Sequence, residues 1–199
     1  MVLGIDPGVS GGAVLLDRHR IVAWWAWSEM KRRKDKQPLP SAWRLRASSS
    51  QHAELDSVWS AAYSIVCEAR SMWLRAPVLH PPSPEEVAPL RVAIEGLFVG
   101  QRNGRLRVQD VLRLAETVGE IRAAVLSRLG TLPIARPPSR DWRPAAGIPA
   151  HTKRAEAEAR AIEIAEAELH WPETTTPRTK AERGAVCEAA LIARYLHAR

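Results

Sequence analysis

The sequence has few cysteines and no long apolar run, and each absence excludes a class of protein. Only two of its 199 residues are cysteine, Cys67 and Cys187. Two are too few for a disulfide framework and fit a reducing interior, and we assign them no chemistry. No stretch approaches the roughly 18 consecutive apolar residues of a membrane span, and no signal-peptide pattern precedes Gly4. We therefore expect a cytoplasmic protein, either from a bacterial cell or phage-encoded and acting in the host cytoplasm.

Phenylalanine occurs once, at Phe98, and acidic residues are fewer than basic ones. Lysine and arginine number 29 against 22 aspartates and glutamates, which gives a net charge of +7 and a pI near 10.1. An excess of this size indicates a polyanionic partner, either nucleic acid or an anionic membrane surface. The length predicts one domain over residues 1–199, with enough residues to bury a core.

Apolar periodicity predicts an α/β fold with a five-stranded mixed sheet flanked by helices. The predicted strands are Val2–Ile5, Gly11–Leu16, Arg20–Trp27, Arg91–Glu95 and Thr131–Ala135. The predicted helices are Ala53–Arg75, Leu106–Leu129, Thr152–Leu169 and Ala181–Leu196. The charged, Pro- and Ser-rich stretch 31–51 predicts a mobile basic loop, inserted at about residues 29–52.

Three carboxylates are candidates for a metal site. Asp6 and Glu95 each end an apolar strand, and Glu188 lies on the apolar stripe of the last helix. If the two strands are neighbours, their acids emerge at one edge of the sheet, where α/β folds bind ligands. Buried acids that meet repel one another unless a cation lies between them, and oxygen-only ligands suit Mg²⁺ or Mn²⁺.

Each acid also has a purely structural interpretation. Asp6 could stabilise the Asp6-Pro7-Gly8 turn, as aspartate commonly does. Glu188 could instead form a salt bridge with an arginine.

The segments "GIDPG", "AIEGLF" and "EAALIARYL", in this order, resemble the RuvC Holliday-junction resolvases of the ribonuclease H-like superfamily. The resemblance implies that Asp6, Glu95 and Glu188 hold two Mg²⁺ ions. The family usually carries two acids three residues apart on the final helix, and here the partner position is Ala185. Glu182 is the candidate fourth ligand, although it could equally be a solvated first-turn acid that the helix dipole favours.

The same resemblance implies a DNA-binding surface. Phe98 matches an aromatic residue that wedges or stacks at the junction centre, and Lys153 and Arg143 match basic residues near the scissile phosphate. Arg102, Arg105 and Arg107, together with the Lys31–Lys36 run, are candidates for backbone contacts, whose binding would weaken with salt. Symmetric cutting of two strands implies a homodimer, with the long Leu106–Leu129 helix as its natural contact element.

The expected function is a structure-selective endonuclease that cuts four-way DNA junctions by Mg²⁺-dependent hydrolysis and leaves symmetric nicks. One alternative is a related nuclease with another substrate, such as the YqgF-type proteins that act on RNA. A second alternative treats "GIDPGVSGGAV" as the first phosphate loop of an actin-like kinase or ATPase. That fold needs a second phosphate loop and a duplicated domain, and this sequence shows neither. A third is a junction-binding protein without catalysis, suggested by Ala185.

Overall fold

The structure is a computed structural model, and it describes residues 1–8, 10–29, 43–49, 52–75, 89–96, 108–130, 133–149, 151–173 and 176–199. Several predicted DNA contacts lie outside these residues: Lys31–Lys36, Phe98, Arg102, Arg105 and Arg107. None of the helices in the described ranges is long and apolar enough to cross a membrane.

The described strands form one mixed sheet in the order β5-β4-β3-β2-β1-β6-β7. β1 to β5 form an antiparallel meander, whereas β6 and β7 run parallel to β1. The strands are β1 Val2–Asp6, β2 Ser10–Asp17, β3 Arg20–Glu29, β4 Trp43–Ala47, β5 His52–Leu55, β6 Arg91–Ile94 and β7 Ile134–Ala135.

Helices cover both faces of the sheet. One core lies between the sheet and the helices α1 and α2, and the other lies between the sheet and the helices α3, α4 and α5. The helices are α1 Val58–Arg75, α2 Val108–Leu129, α3 Ser139–Ala145, α4 Arg154–Glu168 and α5 Lys180–His197. The prediction of a mixed α/β fold is therefore confirmed.

The predicted count of five strands is wrong, because the described residues contain seven. Residues 43–47 were assigned to the basic loop, yet Trp43, Leu45 and Ala47 are buried and alternate with two arginines, which is the period of a strand. Residues 52–55 were assigned to the first helix but form β5. The helix begins only at Val58, where the Ser57 hydroxyl accepts a hydrogen bond from the Ser60 N–H at 3.1 Å and caps the first turn.

The short helix α3 was also missed. It begins directly after Pro137-Pro138, at Ser139. With seven residues it is too short to show helical periodicity.

Helix α5 packs directly on the backbone of β1 and β2, and this contact positions the site. Leu3 and Ile5 face α1 and α2, so the alternate residue Gly4 faces α5. A Cβ atom on Gly4 would lie 2.2 Å from the Ala189 carbonyl oxygen, and one on Gly12 would lie 2.6 Å from the Ala185 carbonyl carbon. Glycine at these two positions therefore lets α5 approach the sheet.

We expect Gly4→Ala to lower the free energy of unfolding by roughly 1–3 kcal/mol, because the added methyl group forces the α5 backbone away from β1. Gly119→Ala is the matched control. Gly119 lies in α2, and a Cβ atom there meets nothing within 4 Å. This variant should gain roughly 0.5–1 kcal/mol from the higher helix propensity of alanine. Urea denaturation of both variants measures the difference, and equal stability of the two would contradict the packing described for α5.

Candidate active site

The two strand-end acids lie side by side. β1 and β6 pair in parallel with Ile5 opposite Ile94, and the Glu95 N–H continues the ladder by donating to the Ile5 carbonyl oxygen at 3.0 Å. Asp6 and Glu95 are therefore neighbours at the same strand edge. Asp6 shares its sheet face with Gly4, so it points toward α5.

The third acid, Glu188, comes from α5. It directly precedes Ala189, the residue whose carbonyl oxygen lies against Gly4. The close packing of this helix brings the Glu188 carboxylate to the edge where Asp6 and Glu95 emerge. The structure thus brings together the three acids that the sequence singles out.

Burial raises the pKa of all three carboxyl groups, and repulsion by a neighbouring carboxylate adds to the effect at each. Asp6, which is only 9 % exposed, has a pKa well above its ordinary value because of burial first and the charges of Glu95 and Glu188 second. Burial and the Glu188 charge raise the pKa of Glu95. Burial also raises the pKa of Glu188, with Arg143 opposing it. The cluster therefore carries more negative charge than its surroundings compensate.

Helix α3 binds two of the three carboxylates through consecutive residues. The indole N–H of Trp142 donates to Glu95 Oε1 at 3.0 Å, and Arg143 Nη2 donates to Glu188 Oε1 at 3.0 Å. The salt-bridge interpretation of Glu188 is thus present in the structure. Arg143 was predicted only as a phosphate contact, and Trp142 was not predicted at all, because a lone tryptophan in a short helix shows no pattern.

Helix α4 adds two charged residues that sequence reasoning missed. Arg154, at its first turn, opposes the raised pKa of Asp6, Glu95 and Glu188. Glu158 lies one turn further on against Gly184, where a Cβ atom would come within 2.5 Å of Glu158 Oε1, and its charge raises the pKa of Glu188. The only signals in the sequence were the basic start of this helix and the small residue at 184.

Two more predicted site residues, Lys153 and Glu182, lie at the starts of α4 and α5. Lys153 is the exposed N-cap residue of α4, directly beside Arg154. Glu182 accepts a hydrogen bond from Arg46 Nη1 at 2.9 Å and forms a capping box with Thr179. Against the opposing effect of burial, these hydrogen bonds lower the pKa of Glu182. Its carboxylate therefore ties β4 to the start of α5, and its role as a fourth ligand stays a prediction.

The chemistry of the acids fits Mg²⁺, but their present arrangement does not. Within the described ranges, no group of three or more His, Cys, Asp or Glu side chains could hold a metal ion. Glu188 is directed to Arg143 and Glu95 to Trp142. The three acids are close enough to repel one another and do not form a coordination sphere.

Cys187 is buried next to Glu188, and it takes no part in this chemistry. Burial raises the pKa of its thiol to about 12, so the thiol stays protonated.

Comparison with solved structures finds 16 similar chains. A solved structure of RuvC from Thermus thermophilus is similar with a TM-score of 0.45 and 14% identity, over 98% of this chain and 91% of that chain. No family model matches the sequence, and no curated protein matches it.

We expect Asp6→Asn to stabilise the metal-free protein near neutral pH by roughly 0.5–2 kcal/mol. The Asp6 pKa is raised in the folded state, so the unfolded chain loses its proton first as pH rises above about 4, and stability falls from there. The gain should vanish below about pH 3, where Asp6 is protonated in both states. Thermal melts in EDTA across this pH range measure it.

Asp17→Asn is the control for this measurement, because Asp17 is an exposed acid at the end of β2. It should change stability little at any pH. A loss of stability in Asp6→Asn near neutral pH would contradict the repulsion between the three acids.

Proposed function

We propose that the protein is a structure-selective endonuclease that hydrolyses phosphodiester bonds in four-way DNA junctions with a divalent cation as cofactor. The observation that carries this proposal is the meeting of Asp6, Glu95 and Glu188 at one buried edge of the sheet. Such a centre in a protein of net charge +7 suits a substrate that is itself a polyanion.

The strand order supports a ribonuclease H-like core. If β4 and β5 are an addition at one edge, the remaining strands have the order β3-β2-β1-β6-β7. β6 is then the fourth core strand. The sequence resemblance to the RuvC resolvases implies acids on the first strand, the fourth strand and the last helix, and Asp6 ends β1, Glu95 follows β6 and Glu188 lies on α5.

The proposed roles follow from where each side chain lies. Asp6, Glu95 and Glu188 would hold Mg²⁺ or Mn²⁺, which when bound supplies the Lewis acidity that activates water for attack on phosphorus. Trp142 fixes the orientation of Glu95 through its indole N–H. Arg154 and Lys153, both exposed at the start of α4, supply positive charge for the phosphate beside the acids.

The remaining parts of the proposal rest on the sequence resemblance. They are the wedge role of Phe98, the backbone contacts of Arg102, Arg105 and Arg107, and a homodimer that places two sites for symmetric nicks.

We expect the wild-type protein to nick a four-way junction in Mg²⁺ and to leave it intact in EDTA. Glu95→Gln and Glu188→Gln should each lower the cleavage rate by at least ~100-fold, because each removes a charge from the metal-holding centre. Gel assays on junction, linear duplex and RNA–DNA hybrid measure rate and substrate preference. Glu163→Gln, an exposed glutamate in an ion pair with Arg160 on α4, is the control.

Three results would overturn parts of this proposal. Normal cleavage by a folded Glu95→Gln variant would remove the carboxylate centre from the mechanism. Faster cleavage of an RNA substrate would favour the RNA-directed alternative. Tight junction binding without cleavage in either Mg²⁺ or Mn²⁺ would favour the non-catalytic alternative.

The fourth ligand can be tested by comparing two glutamates. We expect Glu158→Gln to weaken Mn²⁺ binding by roughly tenfold, because the Glu158 carboxylate adds negative charge near Glu188. Glu182→Gln should change Mn²⁺ affinity little and should instead lower stability, because its carboxylate caps α5 and pairs with Arg46. Calorimetric titration and thermal melts separate the two effects. A loss of Mn²⁺ affinity confined to Glu182→Gln would support Glu182 as the ligand.

A further inference from the structure

We propose that Arg143 is an internal counterion that occupies Glu188 in the metal-free protein and has to release it before a divalent cation binds. This inference rests on the proposed function, and it accounts for the mismatch between a donor set suited to Mg²⁺ and an arrangement that cannot hold it. It assigns Arg143 a positioning role that precedes any contact with DNA.

The contact between Arg143 and Glu188 is a charge-assisted hydrogen bond of 3.0 Å between partly buried side chains, which are 21% and 15% exposed. Its positive charge offsets part of the repulsion on Glu188. This bond directs Glu188 Oε1 toward the guanidinium. A metal ion bound to Glu188 and the guanidinium bonded to it are both positively charged and repel each other, so the two cations compete for this carboxylate.

The pair is incompletely satisfied, which makes its release less costly. Arg143 Nε is buried and has no hydrogen-bond partner among the described residues. A buried donor without a partner carries an uncompensated desolvation cost. Moving the guanidinium outward would return this N–H to water, so part of the energy lost with the ion pair is recovered.

The adjacent residue provides a fixed anchor for this movement. Trp142 is fully buried and donates to Glu95, whereas Arg143 keeps about a fifth of its side chain in solvent. Rotation of the Arg143 side chain alone can therefore free Glu188 while the α3 backbone and the Trp142 contact stay in place.

Release would leave the guanidinium available at the rim of the site. A guanidinium binds a phosphate with the same fork of N–H groups that it uses for a carboxylate. Arg143 can thus exchange Glu188 for a phosphate of the bound DNA, and the metal that takes its place restores the positive charge next to Glu188.

The experiment is calorimetric titration of the full-length protein with Mn²⁺ in the absence of DNA. We expect Arg143→Gln to bind Mn²⁺ roughly tenfold more tightly than wild type, because the ion no longer has to displace a charge-assisted hydrogen bond. Arg140→Gln is the control on the same helix, since the Arg140 side chain is 65% exposed and its Nε lies 3.6 Å from Asp141 Oδ1. Thermal melts in EDTA verify that each variant is folded.

A second measurement distinguishes displacement from a general effect of charge. A crystal structure of the wild-type protein with Mn²⁺ should show Arg143 beyond hydrogen-bond distance of Glu188, with Trp142 still bonded to Glu95. An Arg143–Glu188 bond that persists beside a bound ion would overturn the inference, whatever the affinities are.

The outcomes also separate this inference from the proposed function. If wild type and Arg143→Gln bind Mn²⁺ equally, the competition is refuted and the metal-dependent function stands. If neither variant binds Mn²⁺ while both are folded, the metal-dependent function itself fails, and the inference fails with it.

Discussion

The structure depends on the placement of three like charges at one poorly solvated point. Asp6, Glu95 and Glu188 gain nothing for stability by lying together, since burial raises the pKa of each and the Glu188 charge raises the pKa of Asp6 and Glu95 further. The neighbouring groups offset this cost only in part, through the Gly8 N–H, the Trp142 indole N–H and two arginines. A fold that retains such a cluster sacrifices stability at this point, which is common where a site is built to receive a ligand.

Close packing of α5 on the sheet makes the cluster possible. Gly4 and Gly12 on the strands meet Ala189 and Ala185 on the helix, so backbone approaches backbone without intervening side chains. Larger residues at these positions would lift α5 and draw Glu188 away from the two strand ends. The same small residues that look unremarkable in the sequence therefore set the geometry of the acids.

Much of the fold followed from local patterns. The meander of β1 to β3, the strand before Glu95 and the two long helices were predictable because apolar residues recur there with clear periods of two or 3.6. β4 and β5 were missed because each has only four or five residues and lies in a charged, Ser-rich region, where composition outweighed the alternation of Trp43, Leu45 and Ala47. α3 was missed for the same reason of length.

The sequence by itself determined which acids were candidates, because an acid at the end of an apolar strand or on an apolar helix stripe is costly wherever the chain folds. Only the tertiary structure decided their partners. Arg143 and Glu188 are 45 residues apart, and Trp142 and Glu95 are 47 apart. Arg46 and Glu182 are separated by 136 residues. Such pairings depend on how the strands are ordered and where the helices pack on them, and no local period in the chain records that information.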